Sequence, residues 1–389
     1  MQKVALITLY QENYGSVLQC FASKSYIQSL GCSCDLLFSQ SSQKSSIRGK
    51  INKFFFFLLK TVLHPSFLFF LCKIKKKNKK TIGLLSVEKI NVFINKEICP
   101  IGLLDSVLKS KEFLDEYIFF ITGSDQVWNS SYIIKSFNFL QFAPRQKRIA
   151  LAASFGTSEI PKYNQKALRK ALSGFDYISV REETGAEIVK KYSKAEVCRV
   201  ADPTFIYDAD EWRGFAKDGI VISQKYILVH FLNEPNEVAL ESMSWLSEQL
   251  NIDIVAIGYR YDSFNRLKRF VFMDGGPWDY VAMIDKAEYV ITDSFHSSLF
   301  SINFNKRFFV FHRNYLASKQ TSRISDLLER FGMGNRLLAD IEVLKNLYLE
   351  NLPVSSRSIL ERERATIRDY IQKSISGQVP QCFMTEKNG

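Results

Sequence analysis

The sequence predicts an α/β protein of two Rossmann-like doubly wound domains facing a cleft. Three observations carry that expectation. At 389 residues the chain exceeds what one hydrophobic core usually supports, so two domains are expected. Short apolar runs alternate with longer amphipathic stretches through two successive halves, the pattern of sheets covered by helices. Several of those runs empty into loops of Gly, Ser, Asp and Asn, where open α/β sheets place their ligands. The division read from the chain is residues 1–205 for the N-terminal domain and 206–376 for the C-terminal one. The first carries an insertion at about 51–80, and a polar tail, 377–389, is expected to fray.

Taken in order, Val4-Ala5-Leu6-Ile7-Thr8-Leu9 reads as the first parallel strand. A loop from Tyr10 to Gly15 leads into a helix with Val17, Leu18, Phe21 and Ala22 at apolar positions, ended by Leu30-Gly31. Further strands are expected at 118–122, 148–154, 177–180 and 196–200. Asp202-Pro203-Thr204 then closes the half, because proline disfavours continuation of regular structure through the residue before it. The second half offers strands at 226–230, 254–258, 289–292 and 308–311, and a helical stretch from about Ser355. No internal repeat accompanies the two halves.

The insertion departs from this alternation. Phe54-Phe55-Phe56-Phe57-Leu58-Leu59 and Phe67-Leu68-Phe69-Phe70-Leu71 flank Lys60, His64, Pro65 and Ser66. A membrane-spanning helix needs about 20 apolar residues. A central Lys costs roughly 3 kcal/mol on insertion, whereas each Phe or Leu returns only about 0.5 kcal/mol. Pro65 would also break the helix. A hairpin lying in a membrane interface suits the composition better, with the lysines of Lys73-Ile74-Lys75-Lys76-Lys77-Asn78-Lys79-Lys80 on anionic headgroups. The alternative is an apolar flap over the protein's own sheet.

The formal charge of +12 is concentrated in that lysine run. No zinc finger, helix-turn-helix or RNA-binding signature accompanies it, so nucleic acid is not an expected partner. The seven cysteines have no repeated spacing and suggest reduced, mostly buried thiols in a cytosolic protein. The N-terminus enters a strand at once and lacks the pattern of a signal peptide. Localisation is therefore expected to be cytoplasmic, with peripheral association at the inner face of the plasma membrane.

The run Gly123-Ser124-Asp125-Gln126-Val127-Trp128-Asn129 follows an apolar strand, Tyr117 to Thr122, and is the most informative segment. A strand-to-helix turn capped by Ser124 or Asp125 would explain its first residues. Trp128 and Asn129 are not needed for a cap and favour a site. The run resembles the signature of the polysaccharide pyruvyltransferase family, in its glycan-cluster branch. Three more segments fit that family in the same order: Asn13-Tyr14-Gly15-Ser16-Val17-Leu18-Gln19, Ser179-Val180-Arg181-Glu182 and Thr292-Asp293-Ser294-Phe295-His296. The resemblance implies a GT-B-like pair of domains. It also implies transfer of the enolpyruvyl carbons of phosphoenolpyruvate onto a sugar of a surface or capsular polysaccharide precursor. A pyruvate ketal forms and phosphate leaves. Phosphoenolpyruvate is then a donor substrate, with no other cofactor and no metal, and the sugar acceptor is expected to be lipid-linked. Two other readings fit the same architecture: a GT-B glycosyltransferase using a nucleotide sugar, and a non-catalytic membrane-associated scaffold of glycan assembly.

His296 and Arg181 are the expected catalytic residues. His296 sits just past a strand, with Asp293 or Ser294 placed to cap the following helix, and imidazole is suited to proton transfer near neutrality. Arg181 ends another strand and can fork onto a carboxylate or phosphate, or pair with Glu182 or Glu183. Substrate contacts are expected from Asn13, Tyr14, Gly15 and Ser16, where Gly15 permits backbone approach and a helix N-terminus favours an anion. Further contacts are expected from Gly123, Ser124, Asp125 and Gln126, and from Asp293, Ser294 and Ser297. His64, His230 and His312 lie in poorer contexts, and Asp202 reads equally as a linker turn. Many members of the family carry Arg-Leu-His where this chain has Ser294-Phe295-His296. Either another cation, such as Lys306 or Arg307, meets the donor's charge, or the donor is held differently.

Overall fold

Runs such as Val4-Ala5-Leu6-Ile7 are buried on both faces, so helices must cover them from either side. A computed structural model describes residues 1–10, 13–39, 51, 53–58, 61, 80–131, 133–313 and 322–383. Its first strands are β1 (Lys3–Ile7), β2 (Ser33–Ser39), β3 (Lys80–Ile82), β4 (Ile101–Leu103) and β5 (Phe119–Thr122). β6 (Arg148–Ala153), β7 (Tyr177–Val180) and β8 (Glu196–Arg199) complete the first half. The second half holds β9 (Tyr226–His230), β10 (Asp253–Ile257), β11 (Tyr259–Tyr261), β12 (Phe270–Met273), β13 (Tyr289–Thr292), β14 (Arg307–Phe311) and β15 (Leu337–Leu338).

Two parallel sheets result, in the orders β4-β2-β1-β5-β6-β7-β8 and β12-β10-β9-β13-β14-β15. β3 and β11 pair antiparallel, stitching the segment after the insertion to the second half. Side chains alternate across each sheet. Val4 and Leu6 enter one core cluster, whereas Ala5 and Ile7 enter another. The first of these clusters also takes Tyr226 and Leu228 from β9, so the facing sides of the two halves share one apolar core.

The first strand ends at Ile7 rather than Leu9, because Gln19 Nε2 captures Leu9 O at 2.8 Å and Thr8 Oγ1 at 3.0 Å. Helix α1 (Tyr14–Ser29) follows and ends at Leu30, as its sequence implies. Helices α2 (Phe295–Asn303), α3 (Ser322–Arg330) and α4 (Ser355–Ile375) complete the framework of the site. α4 lies within the range 206–376 yet returns to the first half. Tyr370 donates to Ala150 O at 2.6 Å and Arg364 to Phe205 O, while Arg368 donates to Ile206 O at the boundary of the two halves.

Two expectations and one alternative reading are corrected. No helix follows β5: residues 124–128 form turns, and neither Ser124 nor Asp125 is an N-cap. Asp125 instead takes φ 53°, the left-handed region that Asp tolerates better than most residues. The cysteines are not all free, since Cys198 and Cys382 form a disulfide across 184 residues, while Cys20, Cys32 and Cys34 are buried thiols. The start of the tail is therefore anchored rather than frayed, and Gln381 N–H also bonds Asp369 at 3.0 Å.

Most of the 51–80 insertion, including the lysines of 73–79, lies outside the described residues. Of its described part, Phe54 and Phe55 are exposed, and Phe56 meets the Tyr163 ring at 5.4 Å. Among the described residues no helix is long and apolar enough to cross a membrane.

Candidate functional site

Each sheet reverses its winding at one place. The chain leaves β1 for β2 on one side and reaches β5 on the other; in the second sheet β9 has β10 and β13 as neighbours. Loops at the carboxyl ends of such strands form crevices where ligands bind. The two reversal points face each other. α1 starts just beyond β1 and α2 just beyond β13, and their first turns touch.

Gly15 makes that contact possible. A Cβ on Gly15 would overlap Cγ and Nδ1 of His296 and stand 2.5 Å from its Cβ. Asn13 caps α1 by accepting from Gly15 N–H at 2.9 Å, and Ser294 caps α2 by accepting from Ser297 N–H at 3.4 Å. Two helix N-termini, each carrying positive partial charge, therefore converge on His296, which is only 5% exposed.

Asp202 organises the other side of the imidazole. Its Oδ2 accepts from Arg181 Nη1 at 2.5 Å and from Ser124 Oγ at 3.2 Å, while Oδ1 accepts from Thr204 N–H and Oγ1 at 3.0 and 2.9 Å. His296 Nε2 stands 3.7 Å from Oδ2, an ion-pair separation longer than a hydrogen bond. Burial pushes the Asp202 carboxyl up. The adjacent His296 ring, Arg181 and the Thr204 amide outweigh burial and hold it well below the usual carboxylate range.

Arg181 lies among carboxylates. Nε donates to Glu182 at 3.1 Å, Nη1 to Asp202, and Nη2 is 3.7 Å from Asp125. Desolvation opposes its charge, but Glu182, Asp202 and Asp125 together raise its pKa above the ordinary value. The guanidinium sits 4.3 Å over the Phe295 ring, and its backbone oxygen accepts from Arg330 Nη2 at 3.4 Å.

Beneath α2, Ser297 Oγ hydrogen-bonds His230 Nδ1 at 2.8 Å and the Tyr280 hydroxyl at 2.9 Å. Tyr14 stacks on Tyr280 with centroids 4.8 Å apart and donates to Gly275 O at 2.7 Å. Burial, aided by Arg313 and His296, pushes His230 down to about 3, so it is neutral at physiological pH. Asp293 is already engaged: it accepts the amides of Leu232 and Asn233 at 2.7 and 3.1 Å and faces Arg313 Nε at 3.1 Å.

The expected site residues thus gather at the two reversal points. Ser124 touches Asp202, Asp125 faces Arg181, and Gly15 touches His296; Ser16 is buried in α1's first turn. Gly123 takes φ 115° where a Cβ would strike Leu151 O. Lys306 and Arg307 are not at the site. Arg307 pairs in register with Tyr289, at the amino end of β13, whereas His296 lies beyond its carboxyl end. Arg307 reaches Asn351 instead, at 3.0 Å.

Sequence reasoning leaves Asp202 open between a linker turn and a ligand contact, sets His230 aside as a strand residue, and misses Arg313 and Arg323. Arg323, on α3, lies 5.9 Å over the Phe295 ring beside Arg181. The Gln126 amide, oriented with its oxygen toward that guanidinium, accepts from Nη1 and Nη2 at 2.8 and 2.9 Å. At this site the buried nitrogens His296 Nε2, Arg181 Nη2 and Arg323 Nε have no hydrogen-bond partner among the described residues, and neither has the nearby carboxylate oxygen Asp326 Oδ2. Buried polar groups are normally satisfied, so these unpartnered atoms set the site apart from the rest of the core.

Comparison with known proteins adds two findings. The sequence profile of the polysaccharide pyruvyl transferase family matches residues 13–315. A UDP-N-acetylglucosamine 2-epimerase crystal structure superposes with a TM-score of 0.54 at 10% identity, covering 98% of both chains. The Neisseria meningitidis UDP-GlcNAc 2-epimerase bound to UDP-GlcNAc gives 0.51 at 8% identity, over 97% of this chain and 98% of that one. The S. aureus MnaA–UDP structure gives 0.50 at 11% identity, over 97% and 95%. Likeness at such low identity shows a shared GT-B fold and says nothing of the ligand. No curated protein sequence matches.

Proposed function

The chain belongs to the polysaccharide pyruvyl transferase family, and from that premise we propose that it ketalises a sugar with the three-carbon unit of phosphoenolpyruvate. The observation that supports this reading best is the seating of His296. Its ring is fixed between Gly15 and Asp202 at two converging helix N-termini, with Nε2 unpartnered among the described residues.

The reaction first requires a proton at the methylene carbon of the donor, which leaves cationic character at the neighbouring carbon. His296 delivers that proton. One sugar hydroxyl oxygen bonds to the cationic carbon, and its proton returns to the imidazole. The oxygen of a second hydroxyl then displaces phosphate from the same carbon, and its proton leaves with phosphate. The ketal and inorganic phosphate are the balanced products. The ionised Asp202 orients the ring throughout, and the helix N-termini and Arg181 face the charge of donor and departing phosphate.

The acceptor in this reading is a lipid-linked precursor of a surface or capsular polysaccharide, met at the cytoplasmic face of the membrane. The apolar and lysine-rich composition of residues 51–80, with Phe54 and Phe55 exposed, supports that placement. The test is donor choice. Purified protein with lipid-linked glycan from its own cells is offered phosphoenolpyruvate or a panel of nucleotide sugars. Phosphate release with phosphoenolpyruvate supports the proposal; nucleotide release alone would assign a glycosyltransferase instead.

A further inference from the structure

We infer that Arg323, reaching in from α3, is a donor-binding residue that works with Arg181 as a two-pronged clamp for an anion carrying both a carboxylate and a phosphate. This deepens the proposed function and rests on it. Ser294, where the family resemblance implies an arginine, is spent on capping α2. Arg323 brings a second cation to the ring of the next residue, Phe295.

Both guanidiniums lie against Phe295, the residue between Ser294 and His296, at 4.3 Å for Arg181 and 5.9 Å for Arg323. One small cavity is lined by Arg181, Arg323 and Arg330 together with the carboxylates of Glu182, Asp202 and Asp326. Arg323 is 5% exposed, and its Nε has no partner among the described residues. Two of its nitrogens spend themselves on the neutral amide of Gln126, which does not compensate its charge. Arg181, by contrast, is surrounded by three carboxylates and is held firmly in place.

A buried cation with no carboxylate at ion-pair distance among the described residues, beside a second cation, is costly in the absence of a ligand. The neighbourhood reflects this: burial first, then Arg181 and Arg313, push Arg323 down to about 10, although Glu182 and Asp125 offset part of that. An anion placed between the two forks would take up Arg181 Nη2 and Arg323 Nε at once. His296, the third orphan, stands 3.7 Å from the Asp202 carboxylate that lines the same cavity. Gln126, one of the residues of the Gly123–Asn129 signature, then acquires a role: it holds the Arg323 fork in plane.

The experiment is binding of phosphoenolpyruvate alone, by calorimetry and by ligand-induced shift in Tm, to wild type, Arg323→Met and Arg323→Lys. Losing a charge-assisted contact should weaken binding roughly 30- to 100-fold in Arg323→Met. Arg323→Lys keeps the charge without the fork and should lose about 10-fold. The ligand-free Tm of Arg323→Met should be unchanged or higher, because a repelled buried cation has gone. A purely structural arginine would give a lower ligand-free Tm and undiminished binding, and that result overturns the clamp while leaving the proposed function intact. Should Arg323→Met fail to fold, binding by Arg323→Lys at wild-type strength overturns it equally. Wild-type protein that ignores phosphoenolpyruvate would overturn the donor assignment itself, and the clamp with it.

Discussion

Replacing Gly15 by alanine isolates the contact between the two halves at the site. The substitution favours α1 locally, since alanine is better than glycine inside a helix by roughly 1 kcal/mol. Its Cβ, however, would overlap the His296 ring and lie 2.5 Å from His296 Cβ, against an ordinary limit near 3.4 Å. Relief needs a displacement of about 1 Å between α1 and α2, which carries the imidazole away from Asp202. Misplacing a reacting group by about 1 Å can cost on the order of 100-fold in rate. Gly15→Ala should therefore lower kcat for phosphate release by about that factor while its far-UV dichroism stays that of wild type. The coupling should show in a double-mutant cycle, with Gly15→Ala costing little once His296 is already glutamine. Turnover within threefold of wild type for Gly15→Ala would refute the claim that this contact seats the ring.

Three further outcomes are expected. Arg181→Lys keeps a charge but cannot fork onto Glu182 and Asp202 together; the KM for phosphoenolpyruvate should rise by at least about tenfold, read from initial rates at varied donor. His230 has a folded pKa of about 3, far below an unfolded value of about 6.5, so the unfolded state binds the extra proton between them. Its contribution to stability is complete above pH ~6.5 and declines as pH falls toward 3; urea midpoints of His230→Gln should fall less steeply over that interval than those of wild type. The lysines of residues 73–80 should each add roughly 1 kcal/mol of attraction to an anionic surface, so flotation with anionic liposomes should weaken with salt and vanish when they become glutamines.

Much of this fold was legible because parallel strands buried on both faces must be continuous apolar runs. Tyr289–Thr292 and Tyr177–Val180 are such runs, and the residues after them fall at the carboxyl ends by necessity. That is why His296 and Arg181 could be placed from sequence. Asp202 could not, because its meaning lies in contacts to Ser124, Arg181 and His296, which are 78, 21 and 94 residues away. Locally it is only the Asx cap of a turn, as its bonds to Thr204 show. Arg323 is hidden for the same reason: α3 looks like an ordinary amphipathic helix until Phe295 is beside it. Lys306 and Arg307, offered as one of two ways to meet the donor's charge, are near His296 in sequence only, because a parallel strand places them at the opposite end of the sheet. The Cys198–Cys382 pairing spans 184 residues and has no local signal at all.

The central claim is that this chain places a pyruvate ketal on a glycan through His296. Mass spectrometry of lipid-linked glycan from cells lacking the protein, and from the same cells given back wild type or His296→Gln, tests it most directly. Loss of the acid–base group should slow turnover by about two to four orders of magnitude. The account predicts glycan one pyruvyl ketal lighter in the deletion and in His296→Gln cells, restored only by wild type. Identical glycan masses in all three strains would contradict it.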